Sequence, residues 1–445
     1  MVTQKPETVR ESDDISLDEL PEGWSLTSVG ELFQIVGGGT PSTKVHEYWE
    51  GDIPWITSAD IYGVKKIVPR RTVNQNAIKN SAANLVPKGS IIVVTRVSLG
   101  RIAICDTPIS FSQDCHALIP KTDSVDPEFA LYYLSQAVQS FKNQSRGTTI
   151  SGVTVKVVSS LPFLLPPLAE QQHIVSRVEA LLTHVSAARD RLSRVPLIMK
   201  RFRQTVLQFA IEGRLLQLDS SEKISITDDI DNPFPSGWKL DAIENQVSRL
   251  TNGYVGPTRD IYINKGIPYL LARHIKKHKI VFDQRTFISE EFNQKNRKSI
   301  LKKGDVLVVQ SGDIGQTAVV EDDHVGHNCH ALIVITPKKE SLDGRYLSIY
   351  FSSITGQEMT RQIQTGITLK HLNCKDVKKI KIPLPPLAEQ HEIVRRVGML
   401  FERADAIDRE VVAASRRAEA LTQAILGKAF RGELVRKMES SNEIK

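Results

Sequence analysis

The sequence predicts a mixed α/β (α+β) chain written twice: two copies of a short-stranded domain joined by two long antiparallel coiled-coil helices, with pseudo-two-fold character. Three observations predict this. Motifs recur at a fixed long offset, each copy carries a heptad row of apolar residues, and short β-branched runs are broken by Gly, Pro, Asn and Asp. The length of 445 residues leaves room for real cores, and 40% apolar with 24% charged residues is the composition of a globular chain.

The repeat is explicit. Pro21-Glu22-Gly23-Trp24 recurs as Pro235-Ser236-Gly237-Trp238, and Ile53-Pro54-Trp55 as Ile267-Pro268-Tyr269. Lys88-Gly89 recurs as Lys303-Gly304, and Cys115-His116-Ala117-Leu118-Ile119 as Cys329 to Ile333. Leu165 to Gln171 is identical to Leu384 to Gln390, and Gln204 to Leu215 matches Gln423 to Leu434. The offset is 214 for the Pro21, Ile53 and Cys115 pairs and 219 for the last two, which places five extra residues between Ile119 and Gly147. Two copies are too few for a solenoid, so the repeat means a duplicated domain pair.

Taken in order, residues 1–20 read as a flexible, polar and acidic tail. Residues 21–160 form the first α/β domain, with strands such as Ser90 to Val97 and a helix near Phe129 to Phe141. Residues 161–217 form the first helical segment, entered through Pro166-Pro167. Its seam is Ile174, Val178, Leu181, Val185, Ala188, Leu192 and Val195. Pro196 follows, yet Met199, Phe202, Val206 and Phe209 keep the phase, so Pro196 reads as a kink rather than an end. Residues 218–234 are a polar, acidic linker. The second domain is 235–380, with a helix near Arg345 to Gln357, and the second helical segment is 381–436. There Ile393, Val397, Leu400, Ala404, Ile407, Val411, Ala414, Ala418, Leu421 and Ile425 step by four and three throughout. Residues 437–445 are a second tail. A narrow seam cannot be buried alone, and two equal seams in one chain are best buried on each other.

The search for catalytic chemistry returns nothing. There is no phosphate-loop and no dinucleotide fingerprint, and Gly37-Gly38-Gly39 reads as a turn. His324, His327, Cys329 and His330 have zinc-ligating chemistry, but only the Cys-His pair recurs, so no metal site is expected. Four cysteines in so long a chain make no disulfide framework, and a reducing, cytoplasmic location is the default expectation. No apolar run approaches a membrane span, and the N-terminus lacks a secretory pattern.

The net charge of +7 favours polyanion partners. Basic clusters fall in both domains: Lys65-Lys66 with Arg70-Arg71, Arg273 to Lys279, Lys295 with Arg297-Lys298 and Lys302-Lys303, and Lys375 to Lys381. Aromatics at 6% argue against a single-strand binder that stacks bases. Side chains able to read base edges sit in matching loops. The candidates are Thr40, Ser42, Lys44, Thr57, Arg96, Ser98, Arg101, Gln113, Asp114 and Arg146 in the first copy. In the second they are Arg273, His274, Lys276, Gln310, Ser311, Asp313, Gln316 and Asn328. The frame repeats while these residues differ, so two related domains are expected to read two different short sequences.

With these residues in view, the chain resembles the specificity subunit of type I restriction-modification systems. The resemblance rests on the two Pro-Pro-Leu-Ala-Glu-Gln segments (166–171 and 385–390), each opening a heptad helix, and on the Pro-x-Gly-Trp starts. It implies that each α/β unit is a target recognition domain for one half of a bipartite, asymmetric double-stranded DNA site. It also implies that the helices set the spacer. Two modification methyltransferase subunits would dock on them, and two restriction/translocase subunits would join. S-adenosylmethionine, ATP and Mg²⁺ would belong to those partners, with no cofactor and no catalysis in this chain. A coiled-coil protein-interaction scaffold with two α/β binding modules is the alternative reading, distinguished by the absence of salt-sensitive DNA binding.

Overall fold

The computed structural model describes residues 20–434 except 63–65, 97–98, 145–152, 218–233, 277 and 367–369, and does not describe the side chains of 139–144. The expected tails and linker lie almost wholly outside the described residues, as do Ser98, Arg146 and Lys65. The chain divides into two compact units: residues up to Arg191 together with those from Ala414, and Leu192–Ala413. Each unit therefore takes the start of one long helix and the end of the other. This differs from a plain division into domain and helix.

In the first unit, four antiparallel strands run in the order Phe33–Gly37, Cys115–Pro120, Ile91–Val94, Ile102–Ile104. Strand Ile91–Val94 is buried on both faces, which explains its unbroken apolar run. Ile91 and Val93 face a core shared with helix Pro127–Gln144 and the long helices, while Ile92 and Val94 face a second core. That second core is closed by a mixed sheet, Arg71–Val73, Ile53–Ile56, Ile109–Phe111, Leu85–Val86, whose central pair is parallel.

The second unit repeats the plan. Its sheet order is Val247–Asn252, Leu332–Pro337, Val306–Val309, Thr317–Val319, beside a three-stranded sheet of Phe287–Ile288, Ile267–Leu270 and Asn328–Cys329. The helix expected near 345–357 is two helices, Gly344–Ser352 and Ile354–Gln362. Ser353 divides them: its hydroxyl accepts from Gly356 N–H at 3.0 Å and caps the second helix. Gly356 is required there, because a Cβ would lie 1.9 Å from the Tyr350 carbonyl oxygen.

The long helices are Leu168–Ile211 and Leu387–Ala429, each roughly 65 Å at 1.5 Å per residue. The first runs through Pro196 without a break, as its in-phase seam requires. Within the first unit, Ile174 and Val178 share a core with Ile425 and Ala429, and Arg189 faces Glu419 at 3.9 Å. Within the second, Val206 and Ala210 share a core with Val397 and Ile393, and Arg203 binds Asp405 and Asp408 at 2.5 and 2.9 Å. Numbers rise on one helix as they fall on the other, so the pairing inside each unit is antiparallel.

The seam departs from the heptad row in places. Ile174, Val178, Val185, Ile393 and Val397 are buried, and Leu192, Leu400 and Val411 are half-buried. Leu181 and Ile407 are exposed at 38% and 44%. Leu182, one residue on, packs against the core instead of Leu181. A 3.6-residue helix drifts across a 3.5-residue row, and here the helix must also meet its recognition domain, so the apolar stripe is broader and shifted.

Candidate nucleic-acid interface

The motifs that repeat most faithfully converge at one point in each unit. In the first, Gly23 ends the Pro-x-Gly-Trp turn at φ +80, and Trp24 Nε1 donates to Glu170 Oε1 at 3.0 Å. Gln171 is fully buried; its Nε2 donates to the carbonyls of Ser124 (2.9 Å) and Pro166 (2.8 Å), and its Oε1 accepts from Asp126 N–H (2.8 Å). Gly432, at the end of the other helix, sits so near Pro21 that a Cβ would come within 2.9 Å of its ring. The second unit repeats every contact. Trp238 Nε1 donates to Glu389 Oε2 at 2.8 Å, and Gln390 donates to Ser341 and Pro385 at 2.9 Å each. Gln390 also accepts from Asp343 N–H at 2.8 Å, and Gly213 closes on Pro235. Pairs of short strands seat the same point: Ser25–Ser28 with Pro162–Leu165, and Lys239–Ala242 with Lys381–Leu384.

The candidate reading residues lie on loops leaving the sheets. In the first unit, Gly38 and Gly39 lay their loop directly on neighbouring backbone: a Cβ on Gly38 would lie 2.1 Å from Ser112 O, and on Gly39 1.9 Å from Ala82 O. This close approach is why glycine stands there. Beyond it Thr40, Ser42 and Lys44 are exposed. The Thr40 hydroxyl donates to Gln113 Oε1, so these two candidates form one group. Arg96 is exposed beside half-buried Asp114, whose carbonyl accepts from Thr95 N–H at 2.9 Å. Thr95 and His116, absent from the candidates, complete the group with Thr95 Oγ1 at 2.7 Å from His116 Nδ1. Burial, and then the Arg96 charge, hold the His116 imidazole below its ordinary pKa.

Arg71 lies over the Trp49 ring at 5.4 Å, Trp49 meets Trp55 edge-on at 5.0 Å, and Trp49 Nε1 donates to Ser42 O at 3.3 Å. The loop carrying Ser42 and Lys44 is thus braced by aromatic rings. Two candidates serve the fold instead. Thr57 caps the short helix Ser58–Asp60 and donates to Asp60 Oδ2 at 2.8 Å. Arg101 donates to the Ser58 carbonyl at 2.8 Å.

In the second unit, Arg273, Lys276, Asp313 and Gln316 are exposed, and Ser311 is half-buried, bridging to His371. Three candidates are core residues. His274 is 1% exposed: its Nδ1 accepts from Leu271 N–H, and its Nε2 lies 3.0 Å from Asp283. Burial holds that imidazole below its ordinary pKa. Asn328 is fully buried, donating to Asn293 at 2.9 Å and accepting from Cys329 N–H at 2.8 Å. Gln310 is buried and donates to Leu372 O at 2.8 Å. Polar residues buried this way bond the protein to itself and are not available to base edges.

The Cys-His-Ala-Leu-Ile match is not a structural equivalence. Cys115 opens its strand opposite Val94, whereas Cys329 ends a strand parallel to Leu270. Strand pairing instead matches Phe111 with Cys329 and Cys115 with Leu332. Facing agrees: Leu118 and Ile335 both point to the helix-side core, while Leu332 points to the other. The extra residues of the second copy therefore begin before this point, in the segment that holds His324 and His327. The turn Ser112-Gln113-Asp114 corresponds to His330-Ala331, with Ala331 at φ +48. His330 thus stands where Ser112 stands, each donating its N–H at 2.8 Å to the matching strand, to Leu270 O and Ile56 O respectively, and the repeat of the pentapeptide hid it. Among the described residues no group of three or more His, Cys, Asp or Glu could hold a metal ion. Burial pushes the Cys115 and Cys329 thiols up to about 12.

Two modules of one architecture, each seated by the same contacts and each presenting different loops, define a repeated recognition protein. The model for the type I restriction modification DNA specificity domain matches residues 21–194 and again 237–410, and the chain belongs to that family. The EcoBI specificity subunit of Escherichia coli is 32% identical over 344 residues, 76% of this chain and 72% of that protein. The MjaIX specificity subunit of Methanocaldococcus jannaschii is 26% identical and covers 98% of both chains. The crystal structure of the HsdS subunit from Thermoanaerobacter tengcongensis shares the fold, with a TM-score of 0.58 at 22% identity over 93% of this chain and 98% of that one. A chain from a structure of the type I R-M system, solved for its complex assembly and conformational transition, aligns with a TM-score of 0.71 at 22% identity, covering 93% and 99%. No helix among the described residues is long and apolar enough to cross a membrane.

Proposed function

We propose that this chain is the non-catalytic DNA-reading subunit of a type I restriction-modification complex, each unit reading one half of a bipartite double-stranded site. The observation that carries the reading is the contrast within the repeat: the seating contacts are the same in both units, and the exposed loop residues are not. Thr40 with Gln113, and Arg96, offer groups to base edges in the first unit; Gln316, Asp313 and His330 do so in the second. Lys44, Arg71, Arg273 and Lys276 supply phosphate contacts that set register without reading sequence. The long helices set the spacer and offer the docking surface for two methyltransferase subunits, with two restriction/translocase subunits joining them. The partners, not this chain, use S-adenosylmethionine, ATP and Mg²⁺.

The test is modified-base sequencing of DNA from cells expressing the chain with its methyltransferase partner. Adenine methylation at one split motif with a fixed gap, lost when the chain is omitted, is the expected result. A well-formed complex that adds no methylation would overturn the reading.

A further inference from the structure

We propose that the Trp–Glu–Gln junction at the start of each long helix is the joint that fixes the recognition domain's angle on the helical pair, so that Glu170–Gln171 and Glu389–Gln390 are positioning residues for gap length. The inference rests on the bipartite reading above and adds where the gap is held constant.

Three features point to it. First, each joint ties three separate chain segments: the domain's opening turn (Trp24 or Trp238), the start of one helix (Glu170 or Glu389), and the turn ending the other (Gly432 or Gly213). Second, each glutamine spends both of its amide hydrogens and its carbonyl oxygen on backbone groups on both sides of the joint, namely Ser124, Pro166 and Asp126, or Ser341, Pro385 and Asp343. A buried, fully bonded amide has a single orientation and transmits it. Third, the hydrogen bonds named above are the same in both units although the exposed loops differ. A device for reading sequence would vary with the sequence read; a device for holding distance would not.

The test uses the full chain in complex with its methyltransferase partner and changes one joint at a time. Glu389→Ala removes the acceptor for the Trp238 N–H. Gln390→Glu keeps the acceptor for Asp343 N–H but loses both donated bonds. Glu389→Gln keeps an acceptor for the indole and serves as the conservative rescue. Modified-base sequencing then scores every gap length. The expected result is that methylation at sites one base pair longer or shorter rises roughly tenfold relative to the parent gap in the first two variants. Both half-site sequences stay unchanged, and Glu389→Gln restores the parent ratio. Lower methylation with the gap ratio unmoved would show that the junction only stabilises the fold and would overturn the proposal. If a variant methylates too little to score, competition binding of the purified complex to duplexes of each gap replaces it, with the same two outcomes. Absence of gapped methylation from the unaltered chain would strike the bipartite reading itself, and so is distinguishable.

Discussion

The two units share a frame but fill it differently. In the first, Phe430 caps the helix end, with its ring 5.4 Å from Phe129 and 5.2 Å from Tyr133. The repeat puts Ile211 at that position in the second unit, where it lines, with Tyr350 and Met359, a half-open cavity of about 420 Å³. Among the described residues the second unit shelters several imidazoles, whereas the first half-buries only His116. His274 is buried and His278 and His327 are half-buried, and burial lowers the pKa of each, that of His327 to about 4 with help from His324. Seating contacts are held constant, while packing volume, buried ionisable groups and loops are free to drift.

The largest expected effect comes from exchanging residues 21–160 for another recognition domain of this family. One half-site should be replaced outright and the other kept, read by modified-base sequencing. A change in both would break the independence of the units.

Next is Phe430→Ala. Removing a ring that is 5% exposed should cost the first unit about 3–5 kcal/mol. Hydrogen exchange should show faster opening in residues of the first unit and unchanged protection around Tyr346 in the second. Equal loss in both would mean that the units do not open separately.

Acid sharpens the contrast further. An imidazole whose pKa is lowered by folding contributes stability at pH above its unfolded value of about 6.5, and that stability is lost as pH falls toward the folded value. For His327 the window runs from about 6.5 down to about 4. Between pH 7 and 5, amide protection factors, which remove the intrinsic pH dependence of exchange, should fall roughly tenfold more in the second unit than in the first. His327→Gln should reduce that difference, and an unchanged difference would remove His327 as its source.

The smallest effect is a gain. Ile211→Phe copies the first unit's solution and should stabilise the second by about 1 kcal/mol through filled volume. The measurement is thermal or denaturant unfolding of the full chain. A loss would show that the cavity's walls cannot admit a ring at that angle.

Much of this was legible in the residues. The duplication, the helices and the use of Pro-Pro as an entry follow from local pattern, because periodicity and proline geometry act over a few residues. The helix continued through Pro196 because Met199 and Phe202 kept phase with the residues before it. The reading residues were harder. His274, Gln310 and Asn328 carry the right chemistry for base edges, but burial is a tertiary property and turned each inward. Thr57 and Arg101 are not buried but hydrogen-bond to backbone groups, Thr57 as a helix cap and Arg101 to the Ser58 carbonyl across the fold. Leu181 ceded its place to Leu182 because a helix with two neighbours obeys neither heptad alone. His330 was hidden by an identical pentapeptide in the wrong register.

That false match bears on how such a gene can change by inheritance. Recombination between the two halves would find the identical pentapeptides at residues 115–119 and 329–333 tempting. A crossover there would lengthen the strand ending at Pro337 by three residues. An odd shift sends every inward side chain to the opposite face, and the progeny protein would not assemble a core. A crossover within the seven identical residues that open the helices keeps every strand in phase. Lineages should therefore trade whole recognition modules at those codons, and seldom at the ones that look most alike inside the sheet.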